Sequence, residues 1–129
     1  MKKKIKIEVG DYVKIADGTI TKVTSLLFDN IYYFDKSFET DKYYELVNSL
    51  NDSEIKDNIV KSSKDIIDLI EIGDIVETFD VLNNDIIYIW SEEMLKALKE
   101  DVENGIQIKS IVTKEQFEKM KYNVERRGN

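Results

Sequence analysis

Carboxylates are the side chains whose number and spacing can do most in this 129-residue chain. Asp74, Glu77, Asp80 and Asp85 recur at short intervals, and Glu92 and Glu93 follow them. From Asp65 to Glu103 there are twelve acids against two lysines, a net −10 within a molecule of net −7. Paired carboxylates serve acid–base catalysis when both face one reacting bond, but neighbours such as Glu92 and Glu93 on a helix point different ways. Asp80, Asn83, Asn84 and Asp85 bring calcium to mind, yet the D-x-[DN]-x-[DN]-G order with a later Glu is missing. A hairpin turn accounts for them better. What the array can do is present a row of negative charge, which imitates phosphates and suits the basic groove of a nucleic-acid-binding protein. Asp74, Glu77, Asp80, Asp85, Glu92 and Glu93 are therefore the candidate partner-binding residues.

A second set carries different chemistry. Tyr32, Lys109, Lys121 and Arg126 supply an aromatic face and cations. In a pocket between two halves of the chain, or between subunits, they suit a nucleotide signal. Direct nucleic-acid binding is the weaker use of such residues. Tyr32, Tyr33, Phe34, Tyr43 and Tyr44 can stack on bases, and Lys119, Lys121, Arg126 and Arg127 form a basic end. The field of the whole molecule nevertheless repels phosphate.

The missing residue types narrow the classes further. There is no cysteine, which excludes disulfides, thiolate metal sites and thiol nucleophiles. There is no histidine, the commonest general base and transition-metal ligand. Catalysis would have to run on carboxylates, Lys, Tyr, Ser or Thr. The expectation is a non-enzyme with no catalytic residue, no metal and no cofactor. No run of about 18 apolar residues offers a membrane span. The basic start, Met1 to Lys6, leads into Glu8, Gly10 and Asp11 rather than an apolar signal core, so a cytoplasmic location is expected.

A repeated phrase sets the elements that must position these residues. Ile7-Glu8-Val9-Gly10-Asp11-Tyr12-Val13 returns as Ile70-Glu71-Ile72-Gly73-Asp74-Ile75-Val76, with five of seven positions identical. An apolar strand end, a Gly-Asp turn and a new apolar strand occur where a small β-barrel doubles back. In each Gly-Asp pair the aspartate is expected to tighten its turn through a side-chain-to-backbone hydrogen bond.

Alternation at Ile5, Ile7 and Val9 predicts a strand, followed by strands at Tyr12–Ile15, Thr19–Phe28 and Ile31–Phe34, with Asp17-Gly18 as a hairpin turn. Tyr43, Leu46, Val47 and Leu50 sit at i, i+3, i+4 and i+7 and predict a helix near 41–50, closed by Asn51-Asp52-Ser53. Ile55, Ile59 and Val60 are expected to return the chain to the first half's sheet, and strands follow at Glu77–Leu82, Asp85–Trp90 and Ile106–Ile111. Ser91 before Glu92 and Glu93 starts a helix near 92–102, which Asn104-Gly105 stops. Thr113-Lys114-Glu115-Gln116 fits a capping box and starts another near 114–120. A last strand is expected at Tyr122 and Val124, then a frayed tail from Glu125.

Two stretches, Lys64–Val76 and Ile111–Glu118, resemble short uncharacterised proteins of phages and prophages in low-GC Gram-positive bacteria. Gly10-Asp11-Tyr12-Val13 followed by Asp17-Gly18-Thr19-Ile20 is similar to their opening. The Gly-Asp-strand-turn pattern also resembles SH3-like barrels. The fold class expected is α+β, mainly β, built of two related SH3-like small β-barrel units. Residues 1–62 form the first, with the helix near 41–50. Residues 63–129 form the second, with the two later helices.

What the resemblance implies is a mobile-element accessory protein. The leading expectation is a non-catalytic inhibitor that binds a basic or nucleic-acid-binding host protein, such as an antiviral nuclease complex of the CRISPR type or another. A protein that sequesters a small nucleotide ligand is the alternative. A phage structural or regulatory component is a third.

Overall fold

The computed structural model describes residues 6–40, 43–81, 83–121 and 124. The chain is mainly β, with two antiparallel sheets and three α-helices among these residues. The first sheet holds β1 (Tyr12–Ile15), β2 (Ile20–Leu27), β3 (Ile31–Thr40), β4 (Tyr43–Asn51) and β5 (Ile59–Ser63), in the order β4-β3-β2-β1-β5. Helix α1 (Asp52–Asn58) joins β4 to β5. A 3₁₀ turn at Ile66–Leu69 leads to β6 (Ile75–Phe79), β7 (Asn84–Tyr88), α2 (Glu92–Glu103), β8 (Gln107–Val112) and α3 (Lys114–Met120). The second sheet has the order β7-β6-β8. Both sheets are open. In the first, β4 and β5 lie at opposite ends of the strand order instead of pairing to close the barrel that the repeat led us to expect.

The repeated phrase is repeated in its hydrogen bonds. The Glu8 N–H donates to the Asp11 carboxylate at 2.9 Å, and the Glu71 N–H to that of Asp74 at 2.8 Å. The Asp11 and Asp74 N–H groups donate back to the carbonyls of Glu8 and Glu71. Gly10 and Gly73 adopt φ of 96° and 102°, which a side chain would strain, and donate to the carbonyls of Val23 and Ile89. From these turns the two segments share a strand plan. β1 lies between β2 and β5, and β6 between β7 and β8, with a helix preceding the returning strand each time.

Two apolar clusters result. The first gathers Val13, Ile15, Val23, Phe34, Phe38 and Leu50 with Ile55 of α1, and Phe34 meets Phe38 edge-on at 5.3 Å. The second gathers Ile70, Val76, Ile89 and Leu98, with Leu95 and Val102 of α2 packed against it. Helix α2 therefore covers the inner face of the second sheet.

The segment expected as a helix near 41–50 is instead β4. Val47 and Leu50 both reach the first core, which their three-residue spacing would explain on a helix. On β4 the β3–β4 register slips between Tyr33↔Ser49 and Phe38↔Val47, and this irregularity brings both inward. Leu46, needed for a helical stripe, is 61% exposed. Asn51-Asp52-Ser53 consequently starts a helix where it was expected to stop one. The Asn51 side chain accepts the Glu54 N–H at 3.1 Å, and the Glu54 carboxylate accepts the Asn51 N–H at 3.0 Å. This reciprocal cap leads to one expected result: Asn51→Ala lowers stability by about 1 kcal/mol in urea denaturation.

Helices α2 and α3 lie where the capping signals place them. Ile7 is buried in the first core, but residues 6–8 form no strand and Val9 is exposed, so the opening alternation does not hold there. Ile5 lies outside the described residues. So do Leu82, Tyr122 and the tail from Glu125, while Val124 belongs to no strand.

Candidate functional site

Three antiparallel strands, covered by α2 on one face, leave the other face of the second sheet to be settled by its residues. Val76 and Thr78 of β6 point into the core, so Ile75, Glu77 and Phe79 point away from it. The register sets Ile75 between Val112 and Tyr88, Glu77 between Ser110 and Ile86, and Phe79 between Gln107 and Asn84. Exposure alternates from Ile86 onward: Ile86, Tyr88 and Trp90 are 76%, 56% and 66% exposed, while Ile87 is partly buried and Ile89 fully buried. Four steps of about 3.3 Å carry the stripe from Ile86 to Trp90, a length of about 13 Å. Beside it, Ile75, Tyr88 and Phe117 of α3 line a shallow depression of about 530 Å³. β7 is also an edge strand, with one side of its backbone unpaired in the sheet.

The acidic candidates separate around this face. Asp80 is exposed in the β6–β7 turn, where its carboxylate accepts the Asn83 N–H at 3.0 Å. Glu92 and Glu93 are exposed in the first turn of α2, just past Trp90. These three frame the apolar stripe from its two ends. Glu77 lies within the face, half-buried, accepting the Ser110 hydroxyl at 2.9 Å with Lys109 at 3.6 Å. Asp85 is exposed but opposite core-facing Thr78, so it alternates to the other side from Ile86.

Asp74 has to be withdrawn from the partner surface. It is fully buried, because the Gly-Asp turn directs its carboxylate inward to accept the N–H groups of Glu71 and Lys114. Burial pushes this carboxyl above the usual range despite those two donors.

Among the described residues the alternative set is spread over separate elements. Tyr32 packs against the first core, Lys109 lies on β8, and Lys121 pairs with Glu118 at 2.8 Å. Arg126 lies outside the described residues.

Lys14 is a buried charged position that residue patterns alone did not point to. Its side chain is 5% exposed, and its ammonium lies 2.7 Å from Glu71 and 2.9 Å from Glu115. It thus ties β1 to the turn before β6 and to α3. Nearby, the buried Thr113 donates its hydroxyl to the Gly18 carbonyl at 2.7 Å. Burial alone would lower the lysine's pKa, but the hydrogen bonds it donates to Glu71 and Glu115, with their negative charge, together outweigh it and hold the ammonium above the ordinary value. The Lys14 hydrogen bond in turn outweighs burial at Glu71 and holds that carboxyl low.

The signs set a pH dependence. A raised lysine contributes fully below its unfolded pKa and loses that contribution as pH rises through the folded value. Urea unfolding followed from about pH 8 to about pH 11 is therefore expected to show an alkaline loss of stability above about pH 10.4. The part due to Lys14 disappears in Lys14→Met. A lowered Glu71 works at the other end, contributing above its unfolded pKa and less as pH falls through the folded value.

Among the described residues no group of three or more potential His, Cys, Asp or Glu ligands could hold a metal. Nor is any helix among them long and apolar enough to cross a membrane. Comparison with protein-family models, curated proteins and solved structures returns no match.

Proposed function

We propose that this chain is a non-catalytic binding protein that docks a partner protein on the outer face of its second sheet. The observation that carries this reading is the exposed Ile86-Tyr88-Trp90 stripe, which alternates out of the sheet while Ile87 is partly buried and Ile89 fully buried between them. Exposed apolar patches of this kind mark interaction sites, and Tyr and Trp are the side chains that most often dominate binding energy. Asp80 at one end and Glu92 with Glu93 at the other favour a partner whose apolar contact is flanked by basic residues.

The resemblance to phage and prophage proteins supplies the partner class: a basic or nucleic-acid-binding host protein of an antiviral nuclease complex, which this chain would occupy and inhibit. In the same reading each segment is an SH3-like unit, since the last strand returns to the first as it does there, and the cytoplasm of a bacterial host is where it acts.

The test is affinity capture from lysate of a low-GC Gram-positive host with two baits, the parent chain and an Ile86→Ser/Tyr88→Ser variant. One basic host protein retained by the parent, released by salt and lost with the variant is the expected result. The same proteins on both baits would remove the outer face from the account.

A further inference from the structure

We infer that the open groove between the two sheets is a second binding site, one for a nucleotide. The groove measures about 580 Å³, within the range of small-molecule sites. Its walls come from β1, β2 and β3 on one side and from β8 and α3 on the other. Three lysines, Lys22, Lys36 and Lys109, line it against one carboxylate, Asp35, a formal +2 in a chain of net −7. Neither Lys22 nor Lys36 has an ion-pair partner among the described residues, whereas Lys109 has Glu77 at 3.6 Å. Lys22 rests over the Tyr12 ring at 5.3 Å.

Irregularities in both sheets deliver Lys36 and Lys109, while Lys22 comes from the regular β1–β2 pairing. Between Tyr33↔Ser49 and Phe38↔Val47, four β3 residues face the single Asn48 of β4, so Asp35, Lys36 and Ser37 arch out of the strand. The arch is fixed from β2. The Thr21 hydroxyl donates to Asp35 at 2.7 Å and accepts the Lys36 N–H at 2.9 Å, and the Lys22 N–H donates to Asp35 at 3.0 Å. In the second sheet Glu77 faces Ser110 and Thr78 faces Ile108, which leaves Lys109 as the extra residue of a bulge. Bulges re-aim side chains, and here two from separate sheets bring their lysines to one groove.

The lining separates into a phosphate part and a ring part. The ammonium groups, with the hydroxyl of Ser37, suit phosphate oxygens. Tyr12 and the apolar walls at Ile20, Ile66 and Ile111 suit a planar base. This site differs from the docking face, and either can fail without the other.

Thermal melting of the full chain tests it, with inorganic phosphate, tripolyphosphate, AMP, ATP and a cyclic dinucleotide as probes. Any ligand that binds only the folded chain raises Tm as its concentration passes Kd. The expected result is a rise of several degrees with at least one nucleotide, exceeding that with tripolyphosphate. The rise should be lost in Lys36→Gln/Lys109→Gln, whose exposed side chains leave the ligand-free Tm unchanged. A nucleotide shift that survives this double substitution, or no shift with any nucleotide, overturns the site. An equal shift with tripolyphosphate overturns the nucleotide assignment.

Discussion

Replacing Lys14 by methionine is expected to lower the unfolding free energy by about 2–4 kcal/mol. The substitution keeps the buried stem but removes the ammonium that Glu71 and Glu115 share. Two carboxylates then face each other beside the buried Asp74, whose carboxyl already sits high, and the half-exposed Lys114 at 3.3 Å from Glu71 offsets part of the charge. Breaking a buried ion pair on one side costs about 3–5 kcal/mol. Glu71 and Glu115 are 34% and 31% exposed, so water screens part of that cost and the figure is reduced. The triple variant Lys14→Met/Glu71→Gln/Glu115→Gln separates repulsion from lost packing. It should return to within about 1 kcal/mol of the parent, since replacing a whole buried charge group is close to neutral. A triple variant as unstable as the single one would place the loss elsewhere. Denaturant unfolding of the three proteins under one buffer decides it.

The second large effect is on binding. Trp90→Ala and Tyr88→Ala are each expected to weaken the captured partner by about 30-fold, the ~2 kcal/mol typical of an aromatic hot spot. Neither should change stability by more than about 0.5 kcal/mol, because both side chains are more than half exposed. That contrast is the useful part. A core substitution in the second sheet would lower both quantities together, while a docking residue lowers one. Charge reversal at Glu92 and Glu93 should act more weakly and mostly on the association rate, with an effect that fades as salt is raised. Calorimetric titration of the recovered partner into each variant reads the difference. Undiminished affinity in both aromatic variants would contradict the hot-spot assignment.

Much of this architecture was legible because local signals and long-range packing agree. The Gly-Asp phrase gives the same turn twice, and Ser91 and Thr113 cap the helices that follow them. The segment at 43–51 failed because its spacing imitates a helix, while an irregular β3–β4 register supplies the same inward contacts. No residue pattern at 43–51 encodes a slip made by residues 34–37.

The candidate site divides on the same principle. Asp80, Glu92 and Glu93 are turn and helix-start residues, exposed by the local structure that the sequence announces. Asp74 looked equivalent in charge, but its turn directs it inward, and the expected capping role of that aspartate was the better guide. Asp85 to Trp90 was legible as a strand, but its unbroken apolar run gave no sign of which side chains face out. That Ile86, Tyr88 and Trp90 face away from the core became clear only once α2 occupied the other face. Lys14, Lys22 and Lys36 gave no signal at all, since a lysine on a strand carries no mark of what another segment will bring against it.

Hydrogen–deuterium exchange of the chain, alone and with its captured host partner, tests the docking face most directly. The account predicts slowed exchange at 84–90 and 75–79, where β7 offers its edge and outer face, with 20–22 and 35–37 unchanged. Protection confined to the groove segments, or none along β7, would contradict it.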